Sequence, residues 1–442
     1  MMLPRYVVMV GVALLTFNGC DPRRERAMHR MERAAVAQDE IQIAVVWPKQ
    51  DVQDGFIAGV ELAAAQLNDE GGVLGRRLRI MVEYEKERRT DPGAFTAMRY
   101  QPADAALAIS PTRRYRATVP TRALAQALVR NRDLVAVVGH RSREGAAIAS
   151  AIYEHNQLLY LAPAVTDLSL TGHGFQFTFR TIPNNAQMVQ RLVAFAARAG
   201  YGDVVLLMAR NAYGEEISTL WRQQAQAAHL KIVHHRSFVP GLDDPNQILA
   251  EFRHKKADAI FIAGVYGDME PLLVEARPMG LTLPFIMSTD LEADPTFRPA
   301  SLPKATLFYP TVFQANSKRA ATQQFVERFR DTYGMAPGVW AAQGYDAIHL
   351  LADVMTQSVS TIPRTLASYL RYARLRKGVL GRRTFAADGQ IMGTPIGMKV
   401  LRDGTFTNVS ESASAWLPHA VSSVDVPGRS ARSLAITSVD RP

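Results

Sequence analysis

IQIAVVWPKQDVQDGFIAGVELAAAQLNDEGGVLGRRLRIMVEY, residues 41–84, holds one unit of a pattern that recurs along the chain. Ile41–Trp47 is a short, mostly apolar run stopped by Pro48, the mark of a buried strand. Phe56, Val60, Ala63, Ala64 and Leu67 then recur at helical spacing and predict an amphipathic helix over 55–69. Asp54 stands where an N-cap is needed, and Gly71-Gly72 marks the stop. Leu78–Tyr84 is the next strand. Outward from this unit, Leu134–Gly139 and Leu158–Pro163 read as strands around a helix at 144–155. The alternation restarts after Pro183. Helices are expected near 185–199, 214–229, 246–255 and 268–279, with strands at Val204–Met208, Lys231–Phe238, Ala259–Ala263 and Phe285–Met287. Short apolar strands alternating with helices predict an α/β fold of parallel sheets with helices on both faces. The break near Arg180–Asn185 divides it into two Rossmann-like lobes.

The whole chain has 442 residues, long enough for more than one core, and 48% of them are hydrophobic, which excludes a wholly disordered protein. No run approaches the roughly 20 apolar residues that span a bilayer, so a polytopic membrane protein is excluded. The single cysteine can form neither an intrachain disulfide nor a cysteine-rich metal site. The net charge of +10 is concentrated. Residues 86–132 contain ten Lys or Arg and three acids and read as a basic insertion; Arg364–Arg383 contains seven Lys or Arg and no acid. Aromatic residues hardly interleave with them, which argues against nucleic acid; a solvated surface or anionic lipid head groups fit better. Residues 409–442 are Ser-rich without a period and read as a loosely ordered tail.

At the N-terminus Arg5 precedes an apolar run, Tyr6–Phe17, which ends at Asn18-Gly19-Cys20. This is too short to span a membrane and resembles a bacterial lipoprotein signal, in which the cysteine becomes the lipidated first residue. Phe17 and Asn18 depart from that pattern. The resemblance implies a signal at 1–19, lipidation of Cys20, inner-membrane retention through Asp21, and a charged tether over 20–40.

The order of motifs also resembles the periplasmic substrate-binding proteins of the leucine/isoleucine/valine type. Gly59–Asn68 followed by Gly71-Gly-Val-Leu-Gly-Arg76 carries the likeness first. Val137-Val-Gly139, Ala162-Pro-Ala-Val-Thr166, Phe179-Arg-Thr181, Ala212-Tyr-Gly-Glu215, Ala257–Phe261, Ala276–Leu281, Gly344-Tyr-Asp-Ala347 and Phe385-Ala-Ala-Asp-Gly389 follow in family order. The likeness covers about 41–408. It implies a type I periplasmic-binding fold with three hinge crossings near 182, 311 and 386. The first lobe would take 41–182 and 311–385, the second 183–310 and 386–408. It also implies capture of an amino acid or related small polar ligand in the periplasm, delivered to the permease of an ABC importer. A ligand sensor or envelope-protein activator on the same fold is the alternative.

The resemblance selects the site. Ser142 and Arg143, in the loop after Val137–Gly139, stand where small hydroxyl residues usually meet the ligand carboxylate. Arg143 replaces a hydroxyl there and would either clamp the carboxylate bidentately or face solvent. Ala164 offers backbone and Thr166 a hydroxyl; Tyr213 and Tyr266 would cover the ligand from the second lobe. Asp290 would receive the ammonium, although an Asp after a strand also reads as a cap. Trp47, at the end of the first strand, would either form a cleft wall or pack into the core. His234, His235 and His254 lack metal-ligand spacing. No phosphate loop follows the first strand and no G-x-S-x-G occurs, so neither a cofactor nor an enzyme is expected.

Overall fold

The computed structural model describes residues 28–33, 39–49, 54–86, 119–294, 296–299, 302, 306–372 and 378–409. Cys20 and most of the signal, tether, basic insertion and tail therefore lie outside the described residues.

Two open sheets organise the chain. The first has the order β3-β2-β1-β4-β5-β6 and is parallel throughout. Its strands are β1 (Glu40–Pro48), β2 (Arg77–Lys86), β3 (Val119–Pro120), β4 (Leu134–Gly139), β5 (Leu159–Ala162) and β6 (Thr178–Arg180). A short helical stretch, α1 (28–33), precedes β1, and α2 (Phe56–Asp69), α3 (Thr121–Leu128) and α4 (Arg143–His155) follow within this half. Side chains alternate across a strand. Ile41, Ile43, Val45 and Trp47 of β1 face one core, which includes Phe56 and Val60 of α2. Ala44 and Val46 face another, with Leu124 of α3 and Ala149 of α4.

The second sheet runs β15-β14-β11-β10-β9-β7-β8. It holds β7 (Asp203–Ala209), β8 (Lys231–Phe238), β9 (Ala259–Ala263), β10 (Phe285–Met287) and β11 (Leu307–Thr311) in parallel, with β14 (Gly397–Arg402) and β15 (Thr405–Asn408) as an antiparallel edge. Helices α5 (Asn185–Arg198) and α6 (Ala212–Ala227) cover Val204, Leu206 and Phe261; α7 (Pro245–Ala250) and α8 (Tyr266–Ala276) cover Val205, Leu207 and Ile260 on the other face. The two-lobed α/β arrangement read from the sequence is the one observed.

After β11 the chain returns to the first lobe as α9 (Ala320–Tyr333), α10 (Val339–Ser358) and α11 (Pro363–Tyr372), whose buried faces join the core around Trp47. Helix α10 lies against α2 backbone to backbone. A Cβ on Gly59 would sit 2.0 Å from the Ala341 carbonyl oxygen, and one on Gly344 would sit 2.4 Å from that of Phe56.

Three expectations are corrected. The basic insertion ends sooner than 132: Val119–Pro120 pairs with β2, and α3 buries Leu124 and Leu128 on the sheet. The third crossing is not near 386. The hairpin of β12 (Thr384–Phe385) and β13 (Ile391–Met392) stays with the first lobe, where Phe385 and Ile391 are core residues and Gly389 O accepts from Arg180 N at 2.9 Å. The chain crosses between Met392 and Gly397. Residues 28–33 are not a free tether either. Arg30 is 1% exposed, and its guanidinium donates to the carbonyls of Asn156 and Val129, each at 2.8 Å. These carbonyls cap the C-terminal ends of α4 and α3, where helix dipoles favour a cation.

Gly59→Ala and Gly344→Ala each force backbone apart along the α2–α10 contact. Each is expected to lower stability by about 1–3 kcal/mol in urea denaturation, since a packed interior cannot absorb the added methyl.

Candidate functional site

Between the sheets lies a cavity of about 430 Å³. The first lobe contributes Arg141, Ser142, Arg143, Ala164 and Thr166, and the second contributes Tyr213, Val265, Tyr266, Ser288 and Asp290. Each wall follows from local structure. Gly139 holds φ +133° where β4 ends, and a Cβ there would lie 1.9 Å from the Val46 carbonyl oxygen. That turn directs the next residues into the cleft. Ser142 caps α4, its Oγ accepting from Gly145 N at 3.0 Å, so the helix begins at the cavity with its N–H groups toward it. On the opposite wall Asn211 caps α6 and sets Tyr213, whose hydroxyl donates to Ser288 O at 3.2 Å. Asp290 follows β10 and caps a one-turn helix over Leu291–Ala293, accepting from Glu292 N at 3.1 Å. Between these polar groups the lining is apolar, with Ile182, Met188, Val312, Val339 and Trp340.

A cleft between two α/β lobes is matched by sequence comparison. The family model described as periplasmic binding protein matches residues 118–405. The chain belongs to that family. A Leu/Ile/Val-binding protein of Citrobacter freundii is 23% identical to this binding protein over 374 residues, 83% of this chain and 92% of that one. An ABC transporter substrate-binding protein from Desulfitobacterium hafniense, solved in complex with Leu, is 30% identical. It superposes with a TM-score of 0.71 over 84% of this chain and all of that one. A solute-binding protein from R. palustris in complex with benzoate shares the fold at 16% identity, with a TM-score of 0.64 over 84% of this chain and 95% of that one. Members of this family are binding proteins and not enzymes, and so is this chain.

Seven of the eight ligand contacts expected from the sequence line the cavity: Ser142, Arg143, Ala164, Thr166, Tyr213, Tyr266 and Asp290. Trp47 does not. It is fully buried, stacks on Phe56 at 3.7 Å between centroids, and donates from Nε1 to Asp54 Oδ2 at 3.0 Å. The tryptophan at the cavity is Trp340, on α10, edge-on to Trp47 at 5.8 Å. Asp54 is a cap in part only: it accepts from Phe56 N at 2.9 Å, while Gly55 holds the N-cap position of α2.

Arg143 is placed at the cavity but is engaged elsewhere. Its guanidinium pairs with Asp167 at 2.6 Å and with Glu216 of α6 at 3.4 Å, forming an ion pair across the lobes in place of a carboxylate clamp. Burial opposes the charge on Asp167, but hydrogen bonds from Glu216 and Ser169, with Arg143 beside them, hold its carboxyl below the usual range. Burial and the adjacent Asp167 push Glu216 up. Glu216 also accepts from Leu168 N and Asn185 Nδ2, each at 3.1 Å, tying α6 to the first lobe and the hinge.

Behind the cleft loop is a buried network. His140, at φ +56°, contacts Glu85 Oε2 through Nδ1 and the Tyr153 hydroxyl through Nε2, each at 2.8 Å. Burial would raise the Glu85 carboxyl, but His140, the Thr121 hydroxyl and Arg141 N–H outweigh it and leave it lowered. The network fixes the backbone from which Arg141, Ser142 and Arg143 project. Periodicity alone carried no signal for Arg141, Glu216 or Trp340.

Asp290 has the opposite balance. Burial pushes its carboxyl up to about 7, Glu292 adds to this, and Thr311 and Lys399 only partly oppose it. The folded pKa exceeds the unfolded one, so folding takes up a proton and stability falls as pH rises from about 4 to 7. Asp290→Asn is therefore expected to raise the melting temperature of the ligand-free protein at pH 8 and to leave it nearly unchanged at pH 4. A lower melting temperature at pH 8 would contradict the assigned cost.

Proposed function

We propose that this protein is a lipid-anchored extracytoplasmic solute-binding protein that captures an amino acid with an apolar side chain for an ABC importer. One observation carries the reading. An acidic group with a raised pKa, Asp290, stands on one wall of a cavity whose walls mix apolar and polar side chains, and the N-terminus of α4 with Ser142 opens onto the other. A zwitterion needs an anionic acceptor at one end and donors at the other. The Ser142 hydroxyl accepts from Gly145 N and retains its proton for a ligand carboxylate. Thr166 at the same rim adds a second hydroxyl. Tyr213, Tyr266, Met188, Val312 and Trp340 suit an aliphatic side chain. The lobes close about the crossings at 181–184, after Thr311 and at 393–396, and enclosure removes the ligand from water. Cys20 supplies the attachment that keeps the protein beside its permease. The leucine complex of the Desulfitobacterium hafniense relative supports this ligand class.

Titration calorimetry with leucine, isoleucine, valine, glutamate and benzoate tests the reading. Binding of one or more aliphatic amino acids in preference to benzoate is expected. Preference for benzoate would replace the zwitterion with a simple aromatic acid, and silence from the whole panel would refute amino-acid capture.

The pH dependence follows from Asp290. The ammonium binds its charged form, so affinity is expected to fall about tenfold for each pH unit below 7 and to level off above it. Calorimetry in buffers of different ionisation enthalpy is expected to show proton release on binding at pH 6.5. Flat affinity between pH 5 and 8 would remove Asp290 from the site.

A further inference from the structure

The turn that carries Asp290 is gripped from both lobes. Within the second lobe Leu291 is fully buried, and Glu292 pairs with Lys399 at 2.7 Å and accepts from the Tyr309 hydroxyl. At the far end of the same turn the Ala293 carbonyl faces the first lobe. It accepts from Trp340 Nε1 at 2.7 Å and from Arg141 Nη2 at 3.2 Å.

Both donors are held in place by their own surroundings. The Arg141 guanidinium lies 5.0 Å from the Trp340 ring centroid and 5.8 Å from that of Trp47, and Nη1 is 3.7 Å from Asp54 Oδ2. Asp54 is itself fixed by Trp47 Nε1, and Trp47 by its stack on Phe56. Four parts of the first lobe, β1, the start of α2, the loop after β4 and α10, thus converge on one carbonyl of the second. Such a cluster has little side-chain entropy left to lose when the lobes meet.

We propose that Arg141 and Trp340 are positioning residues that couple occupancy of Asp290 to lobe closure through the Ala293 carbonyl. The inference rests on the amino-acid reading above. Asp290 Oδ1 accepts from Glu292 N, and Asp290 O accepts from Ala293 N at 3.2 Å, so the two ends of the turn move together. A ligand ammonium fixes one end, and the two donors fix the other. Neither residue needs to touch the ammonium to raise affinity, because each stabilises only the closed arrangement, and the ligand is bound most fully in that arrangement. A carboxylic acid of the same shape without the amine, such as 4-methylpentanoate, leaves the Asp290 end unloaded and gains less from closure.

Trp340→Phe keeps the ring and removes the N–H. It is expected to weaken leucine binding about tenfold, the effect of one lost hydrogen bond of about 1.4 kcal/mol. The melting temperature of the ligand-free protein should not move. The fall in radius of gyration at saturating leucine, measured by small-angle scattering, should shrink. Arg141→Gln, which leaves both indoles in place, is expected to produce the same pair of changes and serves if Trp340→Phe folds poorly. Wild-type leucine affinity in both variants would overturn the coupling, as would weakened binding with a full contraction. If the wild-type protein itself binds no amino acid, the functional reading fails and this inference with it; binding by the wild type with unaffected variants overturns the coupling alone.

Discussion

The contact of α2 with α10 is the constraint on which the cleft depends. Two helices can approach until backbone meets backbone only where side chains are missing, and Gly59 and Gly344 remove them at facing positions. This closeness brings α10, which follows the parallel strands of the second sheet in the chain, back onto the core of the first. It places Trp340 at the cavity and against Trp47, and Trp47 against Phe56. The aromatic group that meets Ala293 therefore has no freedom of its own. Its position is a by-product of helix packing at the neighbouring Ala341.

The cleft combines two electrostatic regimes. At its edge Arg143, Asp167 and Glu216 satisfy one another across the lobes, at the cost of fixing three side chains. Inside it, Asp290 is short of positive partners, and its carboxyl is held nearer neutrality than an exposed aspartate. A group left electrostatically incomplete in the free protein can gain most when a cation arrives. A group already satisfied gains little. This difference separates Asp290 from Arg143 more clearly than their shared presence at the wall.

Much of the fold was legible because parallel strands announce themselves. Ile41–Trp47, Val204–Met208 and Ala259–Ala263 are short, β-branched-rich or apolar runs, too short for a buried helix, and a strand buried on both faces makes that pattern. The loops that end such strands were also readable, and the family resemblance singled out Ser142, Thr166, Tyr213 and Asp290 on them. The misplacements share a physical cause. Trp47 and Trp340 are both aromatic and apolar in setting, and a sequence does not say which side of a strand or helix will face a cavity. Arg143 looked available because its partners, Asp167 and Glu216, are distant in sequence and meet it only after folding. Residues 386–392 looked like part of the second lobe because the bond from Arg180 N to Gly389 O is long-range. Arg30 read only as part of a charged tether, since nothing in a linear chain shows that the ends of α3 and α4 converge on it.

That last residue has a mechanical consequence. Arg30 is seated on carbonyls that belong to the first sheet's helices, and Arg33 pairs with Asp133 beside them. Any load carried along the N-terminal segment thus enters the molecule at one side of one lobe. The first lobe is therefore the half on which the described N-terminal residues are seated, while Tyr213, Asp290 and α6 belong to the other half.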